Sequence, residues 1–133
     1  MIKTIAHVCL GVADLDRAVA FYRDQLGFKC AYDFASAKGE KIGQCLYVGG
    51  QTFIELFRGS APPPPEGEGH RHFCLLVDDI EAARADLLRR GVEVTPVSTG
   101  TDRSRNAWFN DPDGHRLELQ QYTPESKQGA WVK

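Results

Sequence analysis

Polar and apolar residues alternate from Thr4 to Val12. Val8, Leu10 and Val12 fall on one side of an extended chain, and His7, Cys9 and Gly11 on the other. Asp14, a good N-cap residue, follows. Leu15, Val19, Tyr22 and Leu26 then recur at helical spacing, and Gly27 stands where a helix would end. Three further strand-like runs come next: Phe28–Phe34, Ile42–Val48 and Thr52–Phe57. The turn-rich SAKGE and Gly49-Gly50 separate them. The pattern predicts β-α-β-β-β.

The same order then returns. HVCLGVAD from His7 aligns without a gap with HFCLLVDD from His72, 65 positions later, and Ala18/Ala83 and Ala20/Ala85 continue the match. Further on, Ile54-Glu55-Leu56 is echoed by Leu117-Glu118-Leu119, with the glutamates 63 positions apart. The second copy predicts a strand over His72–Val77 and a helix from Asp79 to Arg90, ended by Gly91. Strands near Val92–Val97, Asn106–Phe109 and Arg116–Tyr122 follow, the last two joined by the turn Asp111-Pro112-Asp113-Gly114. The expectation is an α+β fold of two βαβββ modules, residues 1–58 and 70–123. A linker (59–69) stiffened by Pro62 to Pro65 joins them, and a tail (124–133) closes the chain.

Alternation also sorts the strand faces. Ile54 and Leu56 oppose Glu55, and Leu117 and Leu119 oppose Arg116, Glu118 and Gln120. One face of each sheet is apolar and suits packing against a helix. The other carries His7 and Glu55 in the first copy and His72 and Glu118 in the second. Each residue alone reads as the solvated side of an antiparallel sheet. Together they suggest more, because pairing of the copies about a pseudo-twofold axis would bring equivalent positions together. Two imidazoles and two carboxylates suit a borderline divalent metal, whose charge the carboxylates would neutralise.

Composition narrows the setting. The 133 residues carry 16 Lys+Arg against 18 Asp+Glu, a net charge of −2, with no electrostatic reason to expect nucleic acid or an anionic membrane. No apolar run approaches the ~18 residues of a spanning helix, and the first residues lack the pattern of a signal peptide. Cys9, Cys30, Cys45 and Cys74 show no CxxC spacing and read as reduced thiols of a cytoplasmic protein.

HVCLGVADLDRAVAFYRDQLG, FIEL, HFCLLVDD and FNDPDGHRLEL together resemble the vicinal oxygen chelate superfamily. Glyoxalase I, extradiol dioxygenases, methylmalonyl-CoA epimerase and bleomycin-resistance proteins belong to it. The resemblance runs over about residues 3–123. It implies that the paired modules form an open, cup-like mixed sheet. It also implies that His7, Glu55, His72 and Glu118 are the metal ligands, for Ni, Zn, Co, Mn or Fe. The His/Glu/His/Glu set matches short glyoxalase I proteins. By the same resemblance the ion holds two vicinal oxygens of a small substrate and stabilises an enediolate or similar oxyanion. Glu118 would act as general base, and Glu55 as a ligand that returns the proton. The family's glutathione-gripping Arg, Asn and Arg positions are here Gly11, Gly59 and Glu68. The resemblance therefore implies the metal chemistry of glyoxalase I, while the cation for a thiol conjugate would have to come from elsewhere, with Arg71, Arg103, Arg105 and Arg116 as candidates.

Two other functions compete. An iron-dependent ring-cleaving dioxygenase would need Glu55 off the metal, and a resistance-type binding protein would leave all four residues without a metal. Arg116 and Gln120 flank Glu118 as candidate substrate contacts. Cys9 and Cys74 lie two residues beyond each histidine and read either as small apolar packing residues or as substrate contacts. His70 and His115 read as surface residues, and Asp102-Arg103-Ser104-Arg105 as a solvated turn. Trp131 in the tail reads as a docking residue or part of a disordered end. A homodimer is expected, since the modules have sheet edges to cover.

Overall fold

The computed structural model describes residues 4–59 and 72–132. The polyproline stretch, Glu68, His70 and Arg71 lie outside the described residues. The chain divides into two compact units, Met1–Pro63 and Pro64–Lys133.

In the first unit, strand β1 (His7–Val12) leads into helix α1 (Leu15–Ala20) and a π-helical turn (Phe21–Gln25). Strands β2 (Lys29–Ala35), β3 (Lys41–Gly49) and β4 (Thr52–Arg58) follow. Asp14 caps α1, its carboxylate accepting the Arg17 N–H at 3.0 Å. The expected single helix to Leu26 instead widens at Phe21, where the Leu26 N–H bonds the Phe21 carbonyl. Both Phe21 and Tyr22 are buried there. Gly27 ends the turn with φ 83°, a left-handed backbone that glycine adopts without Cβ strain.

The sheet order is β1-β4-β3-β2, with β1 parallel to β4 and the other pairs antiparallel. Leu10, Val12, Ile54 and Leu56 are buried with Leu15, Val19 and Tyr22, so the apolar face of the sheet and the inner side of the helical segment form one core. His7 and Cys9 are exposed, as alternation requires.

The second unit repeats this arrangement. Strand β5 (Phe73–Leu76) leads into helix α2 (Ile80–Arg89), and then come β6 (Ser98–Thr99), β7 (Arg105–Asn110) and β8 (Arg116–Gln121). The order is β5-β8-β7-β6, again with the first pair parallel. Asp79 caps α2 through the Ala82 N–H, 65 positions after the equivalent cap, and Gly91 ends it at φ 83°. Ile80, Leu87, Ala107, Phe109, Leu117 and Leu119 are buried.

The strand expected over Val92–Val97 does not form; only Ser98 and Thr99 pair with β7. Pro96 has no N–H to give a ladder; the Thr95 N–H makes one backbone bond to the Trp108 carbonyl at 2.9 Å, and side chains meet the remaining groups. Arg84 donates to the carbonyls of Thr95 (2.7 Å) and Val94 (3.3 Å), while the Thr95 hydroxyl accepts the Trp108 N–H at 2.9 Å. Val92 and Val94 are still buried, so the hydrophobic signal marked packing rather than a strand.

The tail is structured as well. After Tyr122 it makes a turn of 3-10 helix (Lys127–Ala130), which bonds back to the loop at Asp102. Trp131 beyond it is 88% exposed.

Candidate metal and substrate residues

Each unit brings one histidine and one glutamate together on the face turned from its helix. In the first, parallel register sets Cys9 opposite Glu55 and His7 opposite Phe53. Glu55 therefore reaches diagonally toward the imidazole, with His7 Nε2 3.6 Å from Glu55 Oε1. In the second, Cys74 stands opposite Glu118, and His72 Nε2 lies 3.8 Å from Glu118 Oε1. The histidine side chains are 49% and 37% exposed, the glutamates only 17% and 12%. Among the described residues, no Lys or Arg forms an ion pair with either glutamate.

Both separations exceed a hydrogen bond. They approach the spacing of two ligands on one ion, about 3.4 Å for a tetrahedral centre with bonds of about 2.1 Å. Largely buried carboxylates beside imidazole nitrogens are donors that a divalent cation would satisfy, so the residues present fit the metal that the sequence pattern implies. Within each unit the donors come as a pair: among the described residues, no group of three or more His, Cys, Asp or Glu side chains forms a metal-holding cluster.

The two cysteines on these faces are held protonated. Partial desolvation of the sulfur by its neighbours on the sheet face, then the Glu55 charge, raises the Cys9 thiol above its ordinary range, although the residue as a whole is exposed. Burial, a hydrogen bond to Glu118 and the charges of Glu118 and Asp102 push the Cys74 thiol up to about 12.

Trp108, which strand alternation alone did not single out, shares the Glu118 face. It lies opposite Glu118 across β7 and β8, its ring edge-on to His72 at 4.7 Å and stacked under the Arg116 guanidinium at 4.6 Å. The repeat carried a signal for it: 63 positions earlier stands Cys45, opposite Glu55 in the same way. Arg116 is thus set against Trp108 beside Glu118. Gln120, on the same face, donates through Nε2 to Asp102 Oδ2 at 2.9 Å.

The loop at Asp102 is not a solvated turn. Ser104 is fully buried, and its hydroxyl lies 2.8 Å from that of Ser126 in the tail. His115 is not a free surface residue either. Its side chain is 16% exposed, with Nδ1 2.7 Å from Asp111 Oδ2. The hydrogen bond to Asp111 raises the imidazole pKa above its usual value, although burial opposes it.

Each of the two units is a βαβββ repeat with a His–Glu pair on the face turned from its helix. The chain belongs to the Glyoxalase/Bleomycin resistance protein/Dioxygenase superfamily, whose sequence profile matches residues 4–119. It is 35% identical over 123 residues to uncharacterized protein YaeR of Escherichia coli (89% of this chain, 95% of that one). It is 30% identical over 123 residues to lactoylglutathione lyase of Haemophilus influenzae (86% and 90%). Among solved structures, SMU.1112c superposes with a TM-score of 0.79 at 33% identity, over 90% of this chain and 99% of that one. Members of the superfamily are generally metal-dependent and bind small molecules. No helix among the described residues is long and apolar enough to cross a membrane.

Proposed function

We propose that this protein is a divalent-metal-dependent enzyme of glyoxalase type, in which His7, Glu55, His72 and Glu118 hold one ion. The observation that carries the reading is the pair of largely buried carboxylates, Glu55 and Glu118. Each faces an imidazole nitrogen at 3.6–3.8 Å, and among the described residues neither has a Lys or Arg counter-charge. The reading requires the two pairs to act together, within one chain or across a homodimer. Similarity to a lactoylglutathione lyase supports the class of chemistry.

When bound, the ion supplies Lewis acidity toward two vicinal oxygens of a small substrate. Glu118 takes the proton from the adjacent carbon and passes it by way of a substrate oxygen to Glu55, which returns it to the neighbouring carbon, so both carboxylates end as they began. Arg116 is the residue placed to meet negative charge on the substrate, and the Trp108 ring beneath it restricts its swing. Neither cysteine takes part as a nucleophile. The residues at the glutathione-gripping positions, Gly11, Gly59 and Glu68, supply no cation, so use of a glutathione conjugate would require a cation from elsewhere, such as Arg103, Arg105 or Arg116. The site works in a cytoplasmic protein.

Metal analysis after loading with Ni²⁺ or Co²⁺ tests the ligand set. One ion per site is expected in the wild type, with loss in His7→Ala and His72→Ala. Glu118→Gln should keep much of the metal, since the amide oxygen can still ligate, and lose turnover by at least about a hundredfold. The methylglyoxal–glutathione hemithioacetal serves as the first assay substrate. A Glu118→Gln protein as active as wild type removes Glu118 from the base role, and a wild type that takes up no divalent metal removes the whole reading.

A further inference from the structure

One hydrogen-bond network leads from the open face of the second sheet, near Glu118, to the C-terminal segment. Gln120 shares that face with Glu118, because strand residues two apart point the same way. Its Nε2 donates to Asp102 Oδ2 at 2.9 Å, and Gln128 Nε2 donates to the same oxygen at 2.6 Å. The other oxygen, Oδ1, accepts the Ser104 N–H at 3.0 Å. Gln128 is itself held, its Oε1 accepting from the Ser104 hydroxyl at 3.3 Å. The Lys127 N–H bonds the Asp102 carbonyl at 2.9 Å, and the Thr123 hydroxyl bonds the Arg103 carbonyl at 2.9 Å. Between them Arg103 is kept at φ 66°, a left-handed conformation that disfavours any side chain with a Cβ. The tail thus clamps a turn that would not choose this shape alone.

A glutamine amide has a donating and an accepting end, and a bare amide can turn over between them. An ionised aspartate only accepts, and Gln128 and Ser104 donate to Asp102 in ways that favour its charged form. The Gln120 nitrogen is therefore bound to Asp102. Its Oε1 is left, and among the described residues no donor is bonded to it.

We propose that Asp102, braced by Gln128 of the C-terminal segment, is a positioning residue for Gln120: it holds the amide nitrogen, so that Gln120 offers its carbonyl oxygen on the Glu118 face and selects ligands bringing a hydrogen-bond donor there. The ligand half of this statement rests on the metal-site reading above. The positioning half rests only on the geometry within this unit.

Asp102→Asn separates the two ends of the amide. The new residue keeps an oxygen for the Ser104 N–H, but its nitrogen faces Gln120. Gln120 then turns over, and Nε2 becomes the group on the open face. In ¹⁵N-labelled full-length protein, the Gln120 side-chain amide protons should exchange slowly in the wild type. They should exchange at least about tenfold faster in Asp102→Asn, with Gln128→Ala in between. Unchanged Gln120 exchange in Asp102→Asn, with the remaining spectrum intact, overturns the positioning role.

Selectivity is read with Ni²⁺-loaded protein and two bidentate probes, acetohydroxamate and N-methylacetohydroxamate, which differ in one N–H donor. The wild-type preference for the N–H probe should fall about tenfold in Asp102→Asn, to or below that of Gln120→Leu. An equal ratio in all three proteins overturns the selecting role. If calorimetry finds no Ni²⁺ uptake by wild type, the metal reading fails by itself, and the exchange comparison still upholds or overturns the placement of Gln120.

Discussion

The turn between β7 and β8 hangs on one buried carboxylate, and removing it should be costly in a pH-dependent way. Asp111 Oδ1 accepts the N–H groups of Asp113 (3.0 Å) and His115 (2.8 Å), while Oδ2 meets His115 Nδ1 at 2.7 Å. Its side chain has no solvent exposure. Asp111→Ala deletes all three bonds and strands two backbone donors. Two neutral bonds at ~1 kcal/mol each and one charge-assisted bond at ~1.5–3 kcal/mol give about 3.5–5 kcal/mol, toward the lower end because the His115 ring retains some solvent contact.

Asp111→Asn isolates the charge. The amide oxygen can keep both backbone N–H groups, and its nitrogen can donate to a neutral imidazole. Only the ionic part of the His115 contact is lost. Because Asp111 raises the folded-state pKa of His115 above its ordinary 6.5, this contribution is fully present below about that pH. It disappears as pH rises through the folded value. Urea unfolding of wild type and Asp111→Asn at pH 5.5 and 8.5 should give a larger stability gap at the lower pH. An equal gap at both, or a larger one at pH 8.5, refutes the assignment of the His115 shift to Asp111. An Asp111→Ala protein as stable as wild type refutes the whole account of the turn.

Other outcomes follow from the same geometry. Gly43→Ala should destabilise the first unit by ~1–3 kcal/mol in a chemical melt, since the added Cβ would sit 2.7 Å from the Leu56 carbonyl oxygen and 2.9 Å from the Phe57 ring. A melt unchanged by this substitution means that β3 and β4 are less closely packed than described. Iodoacetamide should label Cys74 slowly at neutral pH and faster as pH rises toward about 12. Glu118→Gln should speed the reaction at pH 8, because it removes the negative charge that holds the proton on sulfur. Equal labelling of both proteins, followed by mass spectrometry, counts against the contact.

Local patterns, repeated 63–65 positions apart, carried much of the fold. His7, Glu55, His72 and Glu118 were legible because strand alternation and the repeat are properties of neighbouring residues. The caps at Asp14 and Asp79 and the left-handed glycines 27 and 91 were legible for the same reason. The strand expected over Val92–Val97 is reduced to one backbone bond, from the Thr95 N–H to the Trp108 carbonyl, because Pro96 has no N–H and side chains of Arg84 and Thr95 take the neighbouring backbone groups; alternation records only which residues are buried.

Tertiary structure decided what surrounds each pair. Parallel register of β5 on β8, not sequence spacing, set Cys74 rather than His72 opposite Glu118, and the antiparallel register of β7 on β8 placed Trp108 against both His72 and Arg116. Asp102 reads as a solvated turn residue until Gln120 and Gln128, 18 and 26 positions away, close on one of its oxygens. Such contacts depend on how loops return, so no short-range periodicity encodes them. The His–Glu pairs were written into the chain twice, but the polar setting of the second pair arises only when the C-terminal segment folds back onto its own sheet.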